Sequence, residues 1–555
     1  MIAQFRPPQR CRLFGSIALC SFLLTGSGYA REPLYPGLGS YTRKVTTDSP
    51  LAQRYFNQGL AWLHGFNHAA AIRSFEEAAK LDPECAIAHW GIALAAGPHI
   101  NDGRLPPAMA ELAWNELDLA RRASRASEVE RALIAALGHR YANPEPRDRS
   151  PLHAAYADAM REVWSKYSND PDVGAFFAES MMDLRPWGQW TPDGQPSPGT
   201  EEIIATLTSV LRLAPKHPFA NHLYIHALEM SPHPEQADAA AKRLRDLEPG
   251  LAHMVHMPSH IDIRRGRWHE AIVANTKAIE ADKRYRTLSA SQPLNFMAVY
   301  AAHNQHMLAY AALMTGQSAL ALRTIRQMVA DLPPKYLDEN APFLESFVAL
   351  PMEVMVRFGK WDDILAEADS YPDYAPFTRA FHYAARAVAF AAKHDAESAR
   401  KEQAIFADRA LLVPKTTSFG NNDATTILSL VQLMVEGEIL VSEGKVDDGL
   451  AHLRDALQVE DSLGYDEPPS WMIPLRHLVG ATLMRAGRFE EAEQVYREDL
   501  RRLPDNGWSL QGLLESLERQ NKNADERRAL ATRFRRTWAK ADLSITSSCL
   551  CQPRR

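Results

Sequence analysis

The sequence predicts an all-α protein, a right-handed superhelical solenoid of stacked helix pairs, and three observations predict it. A period near 34 residues recurs along the chain. Turn glycines and small packing residues recur at fixed places within that period: Gly266, Trp268, Ala271 and Ala278 in one segment, Ala237 and Pro249 in the one before, Gly316, Ala321 and Pro333 in the one after. With 555 residues, 46% hydrophobic and 23% charged, the chain can bury a sizeable core. A repeat array grows without closing that core into separate domains.

Residues 1–30 read as a secretory signal. Arg6, Arg10 and Arg12 form a basic start, Leu13 to Leu24 a short apolar run, and Gly28-Tyr29-Ala30 a small-residue cleavage site before Arg31. The expected location is therefore the periplasm or the exterior. Leu19 before Cys20 speaks against a lipid anchor, and no membrane span is expected from the later sequence. Net charge is −6, or −9 without the leader's three arginines, and no long Lys/Arg block follows, so no nucleic-acid partner is expected.

Residues 31–50 form a lead-in and 51–540 the repeat array. Tyr55 to Pro83 is a repeat with one residue of slack in its turn, Gly359 and Gly444 mark further turns, and Pro474 to Pro504 with Trp508 to Gly512 close the array. Polar, proline-bearing connections are expected at 98–111 and 143–152, a longer one at 284–301, and a Pro/Gly/Trp-rich loop at 185–199. That loop carries Trp187 and Trp190 and is expected to act as a lid or to cap a helix pair. The tail, 541–555, carries Cys549 and Cys551, which an odd total of three mature cysteines leaves open: a bridge, a soft-metal grip, or incidental thiols in a disordered tail.

The repeats resemble the tetratricopeptide repeat (TPR) superfamily over roughly 50–540. The segments HMPSH followed by GRW, GFNHAAAIRSF and RPWGQWTPDGQP resemble secreted bacterial TPR proteins. The resemblance implies that the first helix of each pair lines a concave groove, with its positions 2, 5 and 9 facing inward.

Three repeats starting at Pro218, Ala252 and Ala302 supply nine such positions, within a groove spanning 218–310. Histidine fills seven: His222, His226, His253, His256, His260, His303 and His306, with Phe219 and Tyr310 in the other two. Composition alone would place roughly 0.3 there. Neutral rings packed together need hydrogen-bond partners, and protonated rings repel one another. A transition metal (zinc, copper or iron) resolves both difficulties.

Glu229 faces the same groove and is expected as a ligand, an orienter of a ring N–H, or a general base; Tyr310 is expected either to donate to a bound molecule or to stand as an aromatic of the groove wall, and Arg264 either to hold an anionic group or to be an ordinary exposed arginine. Met254 and Met257 lie out of phase with the groove. The order HxxxHxxE differs from HExxH, so zincin chemistry does not carry over. Glu353, His382, His89, Trp90, His99 and Asn101 are weaker candidates. The favoured reading is a metal-dependent enzyme of unassigned substrate. It stands against a metal-sequestering protein without turnover and a scaffold that binds a peptide or small molecule in its groove.

Overall fold

The computed structural model describes residues 31–289 and 297–551. The expected leader falls outside them. Among the described residues the secondary structure is helical apart from one two-residue hairpin, Ser418–Phe419 with Asn422–Asp423. Residues from Leu34 onward form one compact unit.

Consecutive helices pack as pairs: Pro50–His64 on His68–Leu81, Met297–Met314 on Ser318–Asp331, Pro376–Ala392 on Ala396–Ala410, and Ala424–Ser442 on Val446–Ser462. Each is apolar on one face, which only the neighbouring helix covers. The fold is an all-α helical-repeat solenoid of the TPR-like kind. The turn positions read from the sequence have a physical cause. Gly266 and Gly316 sit at φ +69° and +71°, where a side chain is strained. The slack turn after His64 places Phe66, not glycine, at φ +55°. That strain aims its ring at the histidines.

Helix Ala424–Ser442 is, among the described residues, long and apolar enough to cross a membrane by length and composition. It carries Glu436 and Glu438 and packs between Pro376–Ala392 and Val446–Ser462, as a core helix does.

Several expected connections are shorter than the sequence suggested. Pro107 opens helix Pro107–Arg122 at a position where its missing N–H costs nothing, so only the first part of 98–111 is loop. The 284–301 connection is largely helix where it is described: Trp268–Leu288 runs into it on one side and Met297–Met314 begins within it on the other, with 290–296 outside the described residues. The described part of the tail, 541–551, is packed against the fold rather than disordered. Cys549 and Cys551 are buried and joined as a disulfide, with Cys551 Sγ 3.4 Å from Glu438 Oε1.

The buried apolar side chains form two large cores. One runs from Val45 to Ile261 and takes in Tyr300; the other runs from Ile263 to Cys551. Their seam falls within the histidine repeats. Trp268 Nε1 donates to Pro504 O across 236 residues, and a Cβ on Gly266 would meet that same carbonyl. Distant loops therefore reach the seam.

Candidate metal centre

Helix Pro218–Glu229 begins at a proline in its first turn, and His217 caps it by accepting from Ala220 N. Every residue from Pro218 to Glu229 is buried except Tyr224. The next repeat is not one straight helix. Pro258 has no N–H to offer the carbonyl four residues back, and the helix divides into Ala252–His256 and Pro258–Arg264. Helix Met297–Met314 supplies His303 and His306.

These elements gather the histidines into two trios. One ring nitrogen each from His222, His226 and His253 lies within 4.8 Å of the others, and the same holds for His256, His260 and His303. His222 Nε2 and His253 Nε2 are 3.1 Å apart; His256 Nε2 is 2.7 Å from His260 Nε2 and 3.0 Å from His303 Nε2. The trios adjoin, with ring centroids 5.7 Å apart for His226 and His260 and 5.8 Å for His253 and His256.

Partners at Nδ1 decide what those Nε2 atoms carry. His222 Nδ1 donates to His64 O at 2.7 Å. His256 Nδ1 donates to Asn275 Oδ1 at 2.7 Å, and the amide cannot be turned over, because its Nδ2 donates to Ala271 O at 2.9 Å. His226 Nδ1 donates to Glu229 Oε1 at 2.8 Å, and His260 Nδ1 lies 2.5 Å from Glu229 Oε2. With Nδ1 holding the proton, a neutral ring presents a lone pair at Nε2. So the trios are lone pairs aimed at one another in a buried space.

A proton on His253 or His260 can bridge one pair of nitrogens. It cannot serve a whole trio: His226 Nε2 stays without a partner, and His256 Nε2 is asked to accept twice. A cation at each centre satisfies three lone pairs at once. Nitrogens about 2.0–2.1 Å from a tetrahedral zinc lie about 3.3 Å apart, and the three nearest pairs here lie at 2.7, 3.0 and 3.1 Å.

Electrostatics follow. Burial pushes the His222, His253, His256 and His303 rings well below the usual imidazole range, and neighbouring rings push them further. His260 differs: burial disfavours its charge, but Glu229 and then Glu467 outweigh burial and raise it. Burial likewise works against the Glu229 carboxylate, and His260 and His226 reverse it, holding Glu229 below the usual carboxylate range.

Glu229 thus spends both oxygens on Nδ1 atoms, as an orienter of two rings. Arg264 donates to Glu229 O at 2.6 Å and Ser231 O at 3.2 Å, closing the end of helix Pro218–Glu229. This corrects its expected role: the guanidinium is committed to backbone carbonyls, not to an anionic group. His306 joins neither trio; its ring stands 5.8 Å from Phe347 with Nε2 unpartnered. Tyr310 sits apart from the trios, buried in the second core with its ring 5.8 Å from Trp268. Met254 and Met257 are buried in the first core, as their phase required.

The weaker candidates have structural employment. His89 pairs with Glu116 at 2.6 Å, Trp90 is core, and Glu353 accepts from Met472 N at 2.5 Å. His382 rings with Tyr371 and Tyr383, and His99 stacks on Phe66 at 4.7 Å. Asn101 reaches the neighbourhood of the trios by donating to Tyr300 Oη at 3.2 Å.

Three contributors escaped the sequence. Glu467, between helices Val446–Ser462 and Leu475–Arg485, comes within 3.6 Å of His260 Nδ1 and forms with Glu229 and His260 a further convergent group. Asn275 orients His256, and the Phe66 ring lies 4.6 Å from that of His222. Asn275, 19 residues after His256 on the second helix of its pair, carried the only local signal: a polar residue on a buried helical face.

Beside the trios lies a cavity of about 180 Å³, bordered by His226, His253, His260, His303 and His306. Trp187, from loop 185–199, also borders it, its ring edge-on to His226 at 5.5 Å. Trp190 pins the same loop by donating to Ala227 O at 2.8 Å.

No family model matches the chain, and no curated protein is similar to it. Among solved structures, human IFIT1 in a dimer with m7Gppp-AAAA is similar over 90% of this chain and 91% of its own, at 13% identity and a TM-score of 0.31. The APC/C hetero-tetramer Cut9-Hcn1 is similar over 90% and 75%, at 10% identity and a TM-score of 0.28.

Proposed function

We propose that the chain is an exported metal-dependent enzyme whose centre holds two transition-metal ions, one in each histidine trio. The observation that carries this reading is the pairing of a committed Nδ1 with a convergent Nε2 in His222, His226 and His256. Rings oriented through their far nitrogen are the usual environment of histidine ligands. Purely imidazole trios suit zinc or copper, and iron less well, since neither trio contains a carboxylate.

Three protein ligands leave a coordination position open, which is the habit of catalytic rather than structural sites. Metal ions in such positions polarise a bound oxygen or lower the pKa of bound water. Two adjoining trios extend that to a substrate held between ions. Glu229 on this reading is a positioning residue: with both oxygens on imidazoles it keeps two ligand rings in place.

The test is metal analysis of full-length protein expressed with its leader, purified without chelator and again after reconstitution with zinc or copper. Two ions per chain are expected, in protein whose intact mass begins at Arg31. No bound metal after reconstitution overturns the centre. Metal without turnover on any class of small molecule would leave a sequestering protein. Retention of residues 1–30 would remove export alone.

A further inference from the structure

The cavity's lining says what kind of molecule it would accept. Away from the metal centre its wall is apolar and aromatic, chiefly Tyr300, Leu332, Phe343, Leu344 and Phe347. No lysine or arginine borders it among the described residues, so nothing but the metal centre invites an anion. Two carboxyl groups do border it, Asp466 and Glu467, and protein donors hold both, Glu467 through one oxygen only. Asp466 accepts from Asn421 N at 2.9 Å, from Asn422 Nδ2 at 2.8 Å, and from the Ser470 hydroxyl. Glu467 Oε2 is engaged by His260 and by the Tyr465 hydroxyl, while its Oε1 is buried without a partner.

Besides Glu467 Oε1, two polar atoms of this wall outside the trios remain unmatched. His306 Nε2 is buried and unpartnered, on a side chain that borders the cavity and belongs to neither trio; Asn101 Oδ1 is buried and unpartnered as well. An unsatisfied buried polar atom is destabilising unless something meets it. Size is consistent with a ring: an apolar cavity of about 150 Å³ in another protein is enough to take benzene.

Resting on the metal reading, we propose that this cavity is the substrate site and takes an uncharged, largely apolar molecule of aromatic-ring size bearing one hydroxyl or carbonyl oxygen. The ring lies against Phe343, Leu344 and Phe347. The oxygen is presented to the metal centre beside His306, which is a substrate-binding residue rather than a ligand. A cationic substituent is repelled by the two ions of the adjoining centre, and an anionic one finds no lysine or arginine in the wall to offset its desolvation.

Three isosteres that differ in charge test this: benzyl alcohol, benzoate and benzylammonium, titrated by calorimetry into full-length metal-loaded protein, with metal content measured on the same samples. Benzyl alcohol is expected to bind one per chain, at least about tenfold tighter than either ion. Leu344→Trp fills the cavity and is expected to remove that binding at unchanged metal content and helicity. His306→Leu is expected to erase the preference for benzyl alcohol over toluene, and it keeps the question open to measurement if the tryptophan variant fails to fold. Benzoate or benzylammonium binding tightest, the three binding alike, or none binding overturns the proposal. Full metal content with no benzyl alcohol bound defeats this proposal alone. Benzyl alcohol bound by protein that takes up no metal defeats the metal reading and leaves the cavity's preference standing.

Discussion

His477 and His256 are both buried, both on the first helix of a repeat, and both bonded to a polar side chain from the second helix. His477 is finished by protein alone: Arg357 Nη2 donates to its Nδ1 at 2.8 Å, and its Nε2 donates to Asp499 Oδ2 at 3.0 Å. Asp499 is satisfied in turn by Asn506 and Ser509. His256 is finished on one side only. Asn275 fixes Nδ1, while Nε2 faces two other imidazoles at 2.7 and 3.0 Å. Protein donors and acceptors close both ring nitrogens of His477. His222, His226 and His256 leave their Nε2 atoms facing other imidazoles, and the proposed metal centre rests on that difference.

The largest expected effect comes from breaking the open side. His226→Ala with His256→Ala removes one ring from each trio and is expected to abolish binding of both ions while helical content persists, read by metal analysis and circular dichroism. Metal content equal to that of the parent protein would place the ions elsewhere.

Breaking the closed side should do the reverse. His477→Ala leaves Arg357 and Asp499 as buried charges without their shared partner, a defect of about 3–5 kcal/mol. Chemical denaturation is expected to show that loss with both ions retained. If metal content falls instead, the two regions are not independent and the contrast fails.

Smaller effects come from the residues that orient the rings. Asn275→Ala frees His256 Nδ1, and Glu229→Gln weakens the hold on His226 and His260; each is expected to lower metal affinity about 10–100-fold. Competition with a chromogenic chelator measures it. For Glu229→Gln, a rate loss of about 10²–10⁴ at full occupancy would restore the general base that its geometry argues against.

How much of this was legible in the sequence depends on the distance over which each feature is decided. Helical periodicity put His222, His226 and Glu229 on one face, and the structure keeps them together. The sorting into two trios was not legible, because it is set by how Pro218–Glu229 lies against the broken helix around Pro258. The nine-position groove assumed evenly spaced straight helices. It therefore credited Tyr310, which belongs to the second core, and His306, which stands off in the cavity wall. Glu467 lies more than 160 residues beyond His306, the last of the groove histidines, and arrives only because the second core folds back on the seam. Nothing local in its sequence marks it. The turn after His64 showed one residue of slack, but that the slack would drive Phe66 against His222 depends on a backbone angle.

The smallest expected effect concerns loop 185–199, where the two tryptophans divide the roles that the sequence left as alternatives. Trp190 holds the loop to helix Pro218–Glu229 through Ala227 O, a structural bond of the kind His477 makes. Trp187, at φ +61°, stands edge-on over His226 at the rim of the cavity, on the open side of the contrast. Trp190→Ala should therefore cost about 1–2 kcal/mol in a denaturation midpoint through a lost hydrogen bond and lost packing, at unchanged metal affinity. Trp187→Ala relieves a left-handed backbone angle only slightly and exposes His226, so stability should hold while a bound ion exchanges faster with chelator. Measuring midpoint and exchange rate on each single variant separates them. Equal exchange rates in Trp187→Ala and the parent protein would make the whole loop a clasp, with no part in shielding the centre.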